Sequence, residues 1–421
     1  MGGFDPRPAV IARPSDAAGV ATVIRVARES GLPFAVRCGG HSGAGHSTCD
    51  GGIVLDVRDM QAIEIDPQAR TAWAQTGLTA ADYSKAVGAH GLATGFGDTG
   101  SVGIGGITLA GGIGYLVRKY GLTIDSVQAA EIVTADGHAL KVDEHSHPDL
   151  FWAIRGGGGN FGVVTRFQFR LHQVSQAVGG MLMLPVTANV ILGLMQAAQA
   201  APEELSAIVN IMPAPPMPFV PQEHHGKLVA LILMCCIGDA ESGARAVAPF
   251  RALGTPVVDM VRPIQYPEMF PPGRSLVPSD RGRPDDVHGC VRRQDAETIL
   301  DFLNRSDAPM RVAQLRALGG AIARVPADET AFSHRHRHIL VNVAAFYAGP
   351  DDRPVRDVWT KTFAAALQNG SEGAYVAFLN DDDEAQVRSA YPGSTWDRLA
   401  AVKARYDPDN VFRRNHNVRP R

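Results

Sequence analysis

Arg37-Cys38-Gly39-Gly40-His41-Ser42-Gly43-Ala44-Gly45-His46 is the stretch on which the reading of this chain turns. It follows a short apolar run, Pro33-Phe34-Ala35-Val36, and precedes a second strand-like run, Gly51-Gly52-Ile53-Val54-Leu55-Asp56-Val57. Four glycines in ten residues let the backbone take positive φ and approach a ligand closely. Successive N–H groups in such a loop form a concave anion site. Arg37 adds a fixed positive charge of the kind that suits a pyrophosphate. One loop of this type is equally compatible with a strand–turn–strand carrying a surface histidine, so the decision rests on the rest of the chain.

Sixty residues on, the run from Gly95 to Gly114 holds nine glycines in twenty residues and almost no charge. Glycine at this density argues against a helix and against a strand interior. Interleaved Ile104, Ile107, Leu109 and Ile113 argue against a low-complexity linker, so the run is expected to wrap closely around a large flat ligand. A third stretch, Arg155-Gly156-Gly157-Gly158-Gly159-Asn160-Phe161-Gly162-Val163-Val164, follows the short helical segment Asp149–Ile154. Around these loops, Val20, Val23, Ile24 and Ala27 repeat with helical spacing behind a Ser15 or Asp16 cap. Thr71–Ala74 and Val127–Thr134 read as strands, and Ala135-Asp136-Gly137-His138 reads as a hairpin turn.

The chain has 421 residues, 45% hydrophobic and 20% charged, with a net charge of −3. That length accommodates two or three domains with a sizeable core. The charge balance gives no broad basic face for nucleic acid or membrane. No apolar run is long enough for a membrane-spanning helix, and the N-terminal residues carry no signal-peptide pattern. Five cysteines, Cys38, Cys49, Cys235, Cys236 and Cys290, are odd in number and lack C-x-x-C spacing. They read as reduced thiols in a cytoplasmic protein.

After residue 173 the texture changes. Glycine thins and proline collects at 213–221 and 263–284. Met181–Leu184, Leu228–Met234 and His338–Val343 are strand candidates, with helices near 187–201, 239–253 and 352–369. This is expected to be a separate α+β domain, an antiparallel sheet with helices on one face. The last segment is helical from Trp396 to Tyr406 and then turns through Asp407-Pro408-Asp409-Asn410-Val411-Phe412.

Taken together, Arg37–Ser42, Val102–Gly106 with Gly111–Gly114, Asp149–Trp152 with Arg155–Gly162, and Tyr406–Phe412 resemble the berberine-bridge-enzyme-like branch of the vanillyl-alcohol-oxidase (PCMH-type) flavoproteins. The texture is nearest to the bacterial 6-hydroxy-D-nicotine oxidase type. The resemblance runs through the whole chain in order. It implies an α+β fold with a two-part FAD-binding domain, 1–172 and 376–421, and an inserted substrate-binding domain, 173–375. It implies FAD as cofactor, joined to His41 through the flavin 8α-methyl group. Many relatives carry a second bond to a cysteine at the position of Thr99, so one covalent bond is expected here.

The cofactor-binding residues that the resemblance implies fall into the same motifs. They are Val36, Arg37, Cys38, Gly39, Gly40, His41, Ser42, Gly45 and His46 in the first. Thr99, Gly100, Val102, Gly103, Gly105, Gly106, Gly111 and Gly112 belong to the second, Gly162 and Val163 to the third, and Asn415 and Asn417 to the tail. His416 stands where the family commonly has Gln. Backbone donors near the flavin's pyrimidine edge would stabilise the charge that develops on reduction. The cofactor would take a hydride at N5 while the protein positions the substrate. Tyr375, which the resemblance places on the strand before the tail, is the candidate base or orienting donor, with Ala377 and Phe378 replacing the Asn and second Tyr common in the family. Asn415 and Val102 complete the catalytic expectation, Val102 as the residue that controls access of O₂.

The leading expectation is an oxidase of a small alcohol, amine or sugar-like hydroxyl that yields H₂O₂, with O₂ as acceptor and a place in bacterial secondary metabolism. A dehydrogenase using another acceptor, or a flavin-binding protein with impaired chemistry, stands beside it. A nicotinamide-binding Rossmann fold is disfavoured, because no Gly-x-Gly-x-x-Gly lies between a first strand and helix. His334, His336 and His338 alternate on an expected strand and would share a face. The interleaved Arg335 and Arg337 speak against a metal there, so no metal is expected. His224-His225 reads as surface.

Overall fold

Residues 17–30 form the first helix, and the reasons are local. Asp16 accepts a hydrogen bond from the Gly19 N–H, Val20, Ile24 and Ala27 are buried along one face, and Gly31 ends the helix at φ 64°. That face packs on a small parallel sheet in which Ile53–Asp56 lies between Val10–Ala12 and Phe34–Arg37. The structure is a computed structural model describing residues 6–270, 282–288, 290–347, 349, 351–368, 373–380 and 383–421.

A five-stranded antiparallel sheet stands beside the first. Its order is Ile63–Asp66, Thr71–Gln75, Val163–Arg170, Val127–Val133, Ala139–Asp143. Its core also takes in Leu399, Val402 and Tyr406 of the C-terminal helix Ser394–Tyr406 and the tail residue Val418. The end of the chain is thereby folded back onto its N-terminal part.

The third sheet is antiparallel. It runs Val258–Asp259, Ala177–Pro185, Leu228–Ile237, Leu205–Pro213, Arg311–Ala317, Ile339–Ala345, Gly282–His288, and Arg262–Ile264 also pairs with Ala177–Pro185. Alternation divides each strand between two faces. On Arg311–Ala317, residues Ala313, Leu315 and Ala317 join Ile339, Val341 and Val343 of the next strand against helices Ala188–Ala200, Ala240–Arg251, Arg293–Arg305 and Arg353–Leu367. The other face carries Val312, Gln314, Arg316, Asn342 and Ala344 and looks into a cavity. The fold is the expected α+β arrangement, with helices on one face of the inserted sheet.

Three local expectations are corrected. The glycine-rich second stretch contains a helix, Ile104–Ala110. A side chain at Gly105 would crowd Thr76 and Cys38, so close packing around Ile104 and Thr108 overrides poor helix propensity. Residues 334–338 are not a strand, which begins only at Ile339. His334 is buried with Nε2 3.0 Å from the Ser389 carbonyl, whereas His336 and His338 are exposed. Arg335 is fully buried in an ion pair with Asp125 at 2.7 Å. Tyr375 precedes a single 3₁₀ turn, Val376–Phe378, rather than lying on a strand.

Candidate active site

The three glycine-rich loops and the C-terminal tail meet around one cavity of about 390 Å³, roofed by the open face of the inserted sheet. The first two loops interlock backbone to backbone. A Cβ on Gly39 would run into the Gly103 nitrogen, and one on Gly103 would meet the Cys38 sulfur. Gly40 turns at φ 74° beneath the Arg37 guanidinium. Cys38 donates to the Thr76 carbonyl at 2.7 Å, and burial raises its thiol pKa. It is therefore a packed thiol rather than a thiolate.

Of the residues named from sequence, Val36, Cys38, Gly39, Gly40, His41, Ser42, His46, Thr99, Val102, Gly103, Gly105, Gly106, Gly162, Val163, Tyr375 and Asn415 all line this cavity. His41 Nε2 lies 3.1 Å from Ser101 Oγ. The His46 and His416 rings meet edge to face, 4.6 Å apart. Tyr375 is buried, and its hydroxyl accepts the Gly112 N–H at 3.0 Å.

Arg37, Gly45, Gly100, Gly111, Gly112 and Asn417 stand behind the lining instead. Gly45 is buried in its turn at φ 76°. Gly100 packs on Ala81 and Phe270, Gly111 on Phe332 and Tyr375, and Gly112 on Thr123. Their lack of a side chain serves packing within the protein rather than contact with a ligand.

The tail is held by a buried ion pair. Lys403 and Asp407, one helical turn apart, are both fully buried, with Nζ 2.6 Å from Oδ2. Nζ also donates to the carbonyls of Asn160 at 2.7 Å and Phe412 at 2.8 Å. Asp407 in turn accepts the N–H groups of Val411 and Phe412 at 2.7 and 2.9 Å. Burial lowers the Lys403 pKa against the pull of Asp407. This cross-brace explains the Tyr406–Phe412 motif: it fixes the turn that places Asn415 beside the third loop, where Asn415 Nδ2 donates to the Gly159 carbonyl at 3.0 Å.

Sequence reasoning did not find the roof. Gln314, Arg316 and Asn342 reach the cavity from strands whose partners lie far along the chain, as does Asp98 from the second loop. Arg316 Nη2 donates to Asp98 Oδ2 at 2.6 Å and to Gln314 Oε1 at 2.7 Å. The available signal was the polar alternation Gln314, Arg316 within Arg311–Ala317.

The cavity fits a flavin by two marks. Side chains are excluded where the loops close on one another, and Asn415 Oδ1, a buried atom of a lining residue, has no hydrogen-bond partner among the described residues. Such a group is costly unless a ligand meets it.

Residues 8–143 match the family described as FAD binding domain, and residues 374–419 match the family described as berberine and berberine like. An FAD-linked oxidoreductase of Dictyostelium discoideum is 30% identical over 98% of this chain and 89% of its own length. The (R)-6-hydroxynicotine oxidase of Paenarthrobacter nicotinovorans is 31% identical over 98% of this chain and 92% of its own. The crystal structure of 6-hydroxy-D-nicotine oxidase from Arthrobacter nicotinovorans superposes with a TM-score of 0.86 at 28% identity, covering 100% of this chain and 94% of that one. The glycine-rich cradle and the tail that closes it are thus shared features, and the chain belongs to the berberine-bridge-enzyme-like, PCMH-type FAD-dependent oxidoreductases.

Proposed function

We propose that this protein is an oxidase carrying FAD on His41, which oxidises a small alcohol, amine or sugar-like hydroxyl and passes the electrons to O₂ to give H₂O₂. In this reading residues 1–172 and 376–421 bind the cofactor and 173–375 bind the substrate. The observation that carries it is the cavity bounded on one side by the three glycine-rich loops with His41 and on the other by the open face of the inserted sheet. A relative named for 6-hydroxynicotine oxidation supports a small organic substrate.

Bound FAD supplies the two-electron acceptance that amino-acid side chains cannot. The chain supplies the rest. Backbone N–H groups of the first loop suit the pyrophosphate, with the Arg37 charge behind them. Tyr375, its hydroxyl braced by the Gly112 N–H, orients the substrate or takes its hydroxyl proton. Val102, beside Gly103, leaves space for O₂ that one more methylene would fill. Asn415 fixes the tail against the third loop. All five cysteines are free thiols, which supports a reducing cytoplasmic setting.

The test is direct. Acid-precipitated protein should remain yellow, and His41→Ala should release its flavin under the same treatment. A wild-type protein freed of all flavin by acid refutes the covalent bond. Absence of peroxide with every alcohol, amine and sugar that bleaches the flavin refutes the oxidase.

A further inference from the structure

The roof over the cavity has a graded composition. Val312 and Ala344 form a cross-strand pair, and the next inward-facing pair is Gln314 and Asn342. Arg316 follows on the same strand, so the surface passes from apolar to polar to charged along one direction. The Arg316 charge is consumed within the protein. Its guanidinium donates to Gln314 Oε1 through Nε and Nη2, to the Ile113 carbonyl at 3.1 Å, and to Asp98 Oδ2 at 2.6 Å. It also lies 5.2 Å from the centre of the Phe378 ring. The side chain of Arg316 is only 6% exposed and that of Asp98 22%. Among the described residues Asp98 is the only carboxylate that lines the cavity, and Thr99 donates to its other oxygen at 3.2 Å. The second cation in the lining, Arg414, is exposed on the tail and donates to the Thr48 carbonyl.

We infer that the Asp98–Arg316 pair is a charge filter that restricts the substrate to uncharged molecules, compact ones with an apolar or aromatic body and a hydrogen-bond donor. The inference rests on the oxidase reading and narrows its substrate class. An anion brought to this roof loses its hydration and finds the guanidinium already committed, and an ammonium finds the carboxylate already committed. A buried charge without a new partner is strongly disfavoured. A neutral donor meets a different surface. Asn342 Oδ1 is shielded from solvent and accepts no hydrogen bond among the described residues, so a hydroxyl or neutral N–H group can satisfy it. Val312, Ala344 and Leu233 cover the apolar body. Selectivity of this kind arises from refusing the wrong partner as much as from holding the right one.

The probes are benzyl alcohol, benzoate and protonated benzylamine, similar in size and different in charge. Binding is read by perturbation of the flavin spectrum and, independently, by calorimetry. Wild type should bind benzyl alcohol at least about tenfold more tightly than either ion. Asp98→Asn keeps an oxygen for Arg316 to donate to but leaves the guanidinium charge uncompensated, so benzoate should tighten at least about tenfold. Arg316→Gln should do the same for benzylammonium. The double variant Asp98→Asn/Arg316→Gln should return to preferring the alcohol. The wild-type ratio tests the filter without any variant, should a single substitution not fold. The inference is overturned if wild type binds benzoate as tightly as benzyl alcohol, if Asp98→Asn leaves their ratio unchanged, or if none of the three binds at millimolar concentration. A colourless protein that nonetheless sorts the probes by charge would refute the flavin reading and not the filter.

Discussion

Lys403→Met is the substitution whose cost can be worked most fully. The ammonium has three donors and uses all of them, on Asp407, Asn160 and Phe412. Methionine approximates the stem and removes the charge. Asp407 is then a fully buried carboxylate that keeps only two backbone donors. Breaking one side of such a pair costs about 3–5 kcal/mol. That figure includes the Asn160 carbonyl left without a donor, which by itself would cost about 1–3 kcal/mol, whereas the Phe412 carbonyl keeps the Asn415 Nδ2 donor. Urea unfolding followed through Trp396, which lies on the same helix, reads the loss. For an opening unit with a slope of about 3 kcal/mol/M or less, the midpoint should fall by at least about 1 M. Adding Asp407→Asn keeps an oxygen for one of the Val411 and Phe412 N–H groups, which bond different carboxylate oxygens, and removes the stranded charge, so the double variant should recover part of the loss. A single-variant midpoint shift smaller than about 0.3 M, or a double variant no more stable than the single, would refute the view that this pair holds the tail.

The remaining predictions concern chemistry and pH. Tyr375→Phe should slow anaerobic flavin reduction by roughly 10²-fold, and an unchanged rate with the best substrate removes Tyr375 from the mechanism. Val102→Leu or Val102→Ile should slow reoxidation in aerated buffer by about an order of magnitude while leaving reduction nearly unchanged. Equal reoxidation rates would show that O₂ arrives elsewhere. His172 stacks on Tyr120 and bonds Ser126, and burial, with Arg170, pushes its pKa from 6.5 down to about 4. Between those values the unfolded chain takes up a proton that the folded chain refuses. Its contribution is therefore whole above pH 6.5 and is lost as the pH falls toward 4, by on the order of 3 kcal/mol. His172→Gln should flatten that part of the stability–pH curve, and an unchanged slope would refute the assignment.

The cradle could be read from the sequence because its constraints are local. A backbone that turns at positive φ, or that approaches another backbone without room for a Cβ, requires glycine wherever the rest of the chain lies, so the three loops and His41 stood out before any fold was known. The Tyr406–Phe412 turn was legible as a pattern, but not as a buried cross-brace, because the partners of Lys403 in the third loop lie more than two hundred residues away. The helix Ile104–Ala110 was misread because its Gly105 answers to Cys38 and Thr76 rather than to helix propensity.

The roof was decided by tertiary structure alone. Leu205–Pro213 is buried along its whole length and shows no alternation to mark it as a strand. Arg311–Ala317 alternates, yet in the sequence its Gln314 and Arg316 look like the wet side of a surface strand. Only the pairing of strands far apart in sequence turns that polar face onto the glycine loops and sets Arg316 against Asp98. Loop chemistry is fixed by what a backbone can do locally. The charge balance of the cavity depends on which distant side chains pack together, and in this protein that is settled by sheet register.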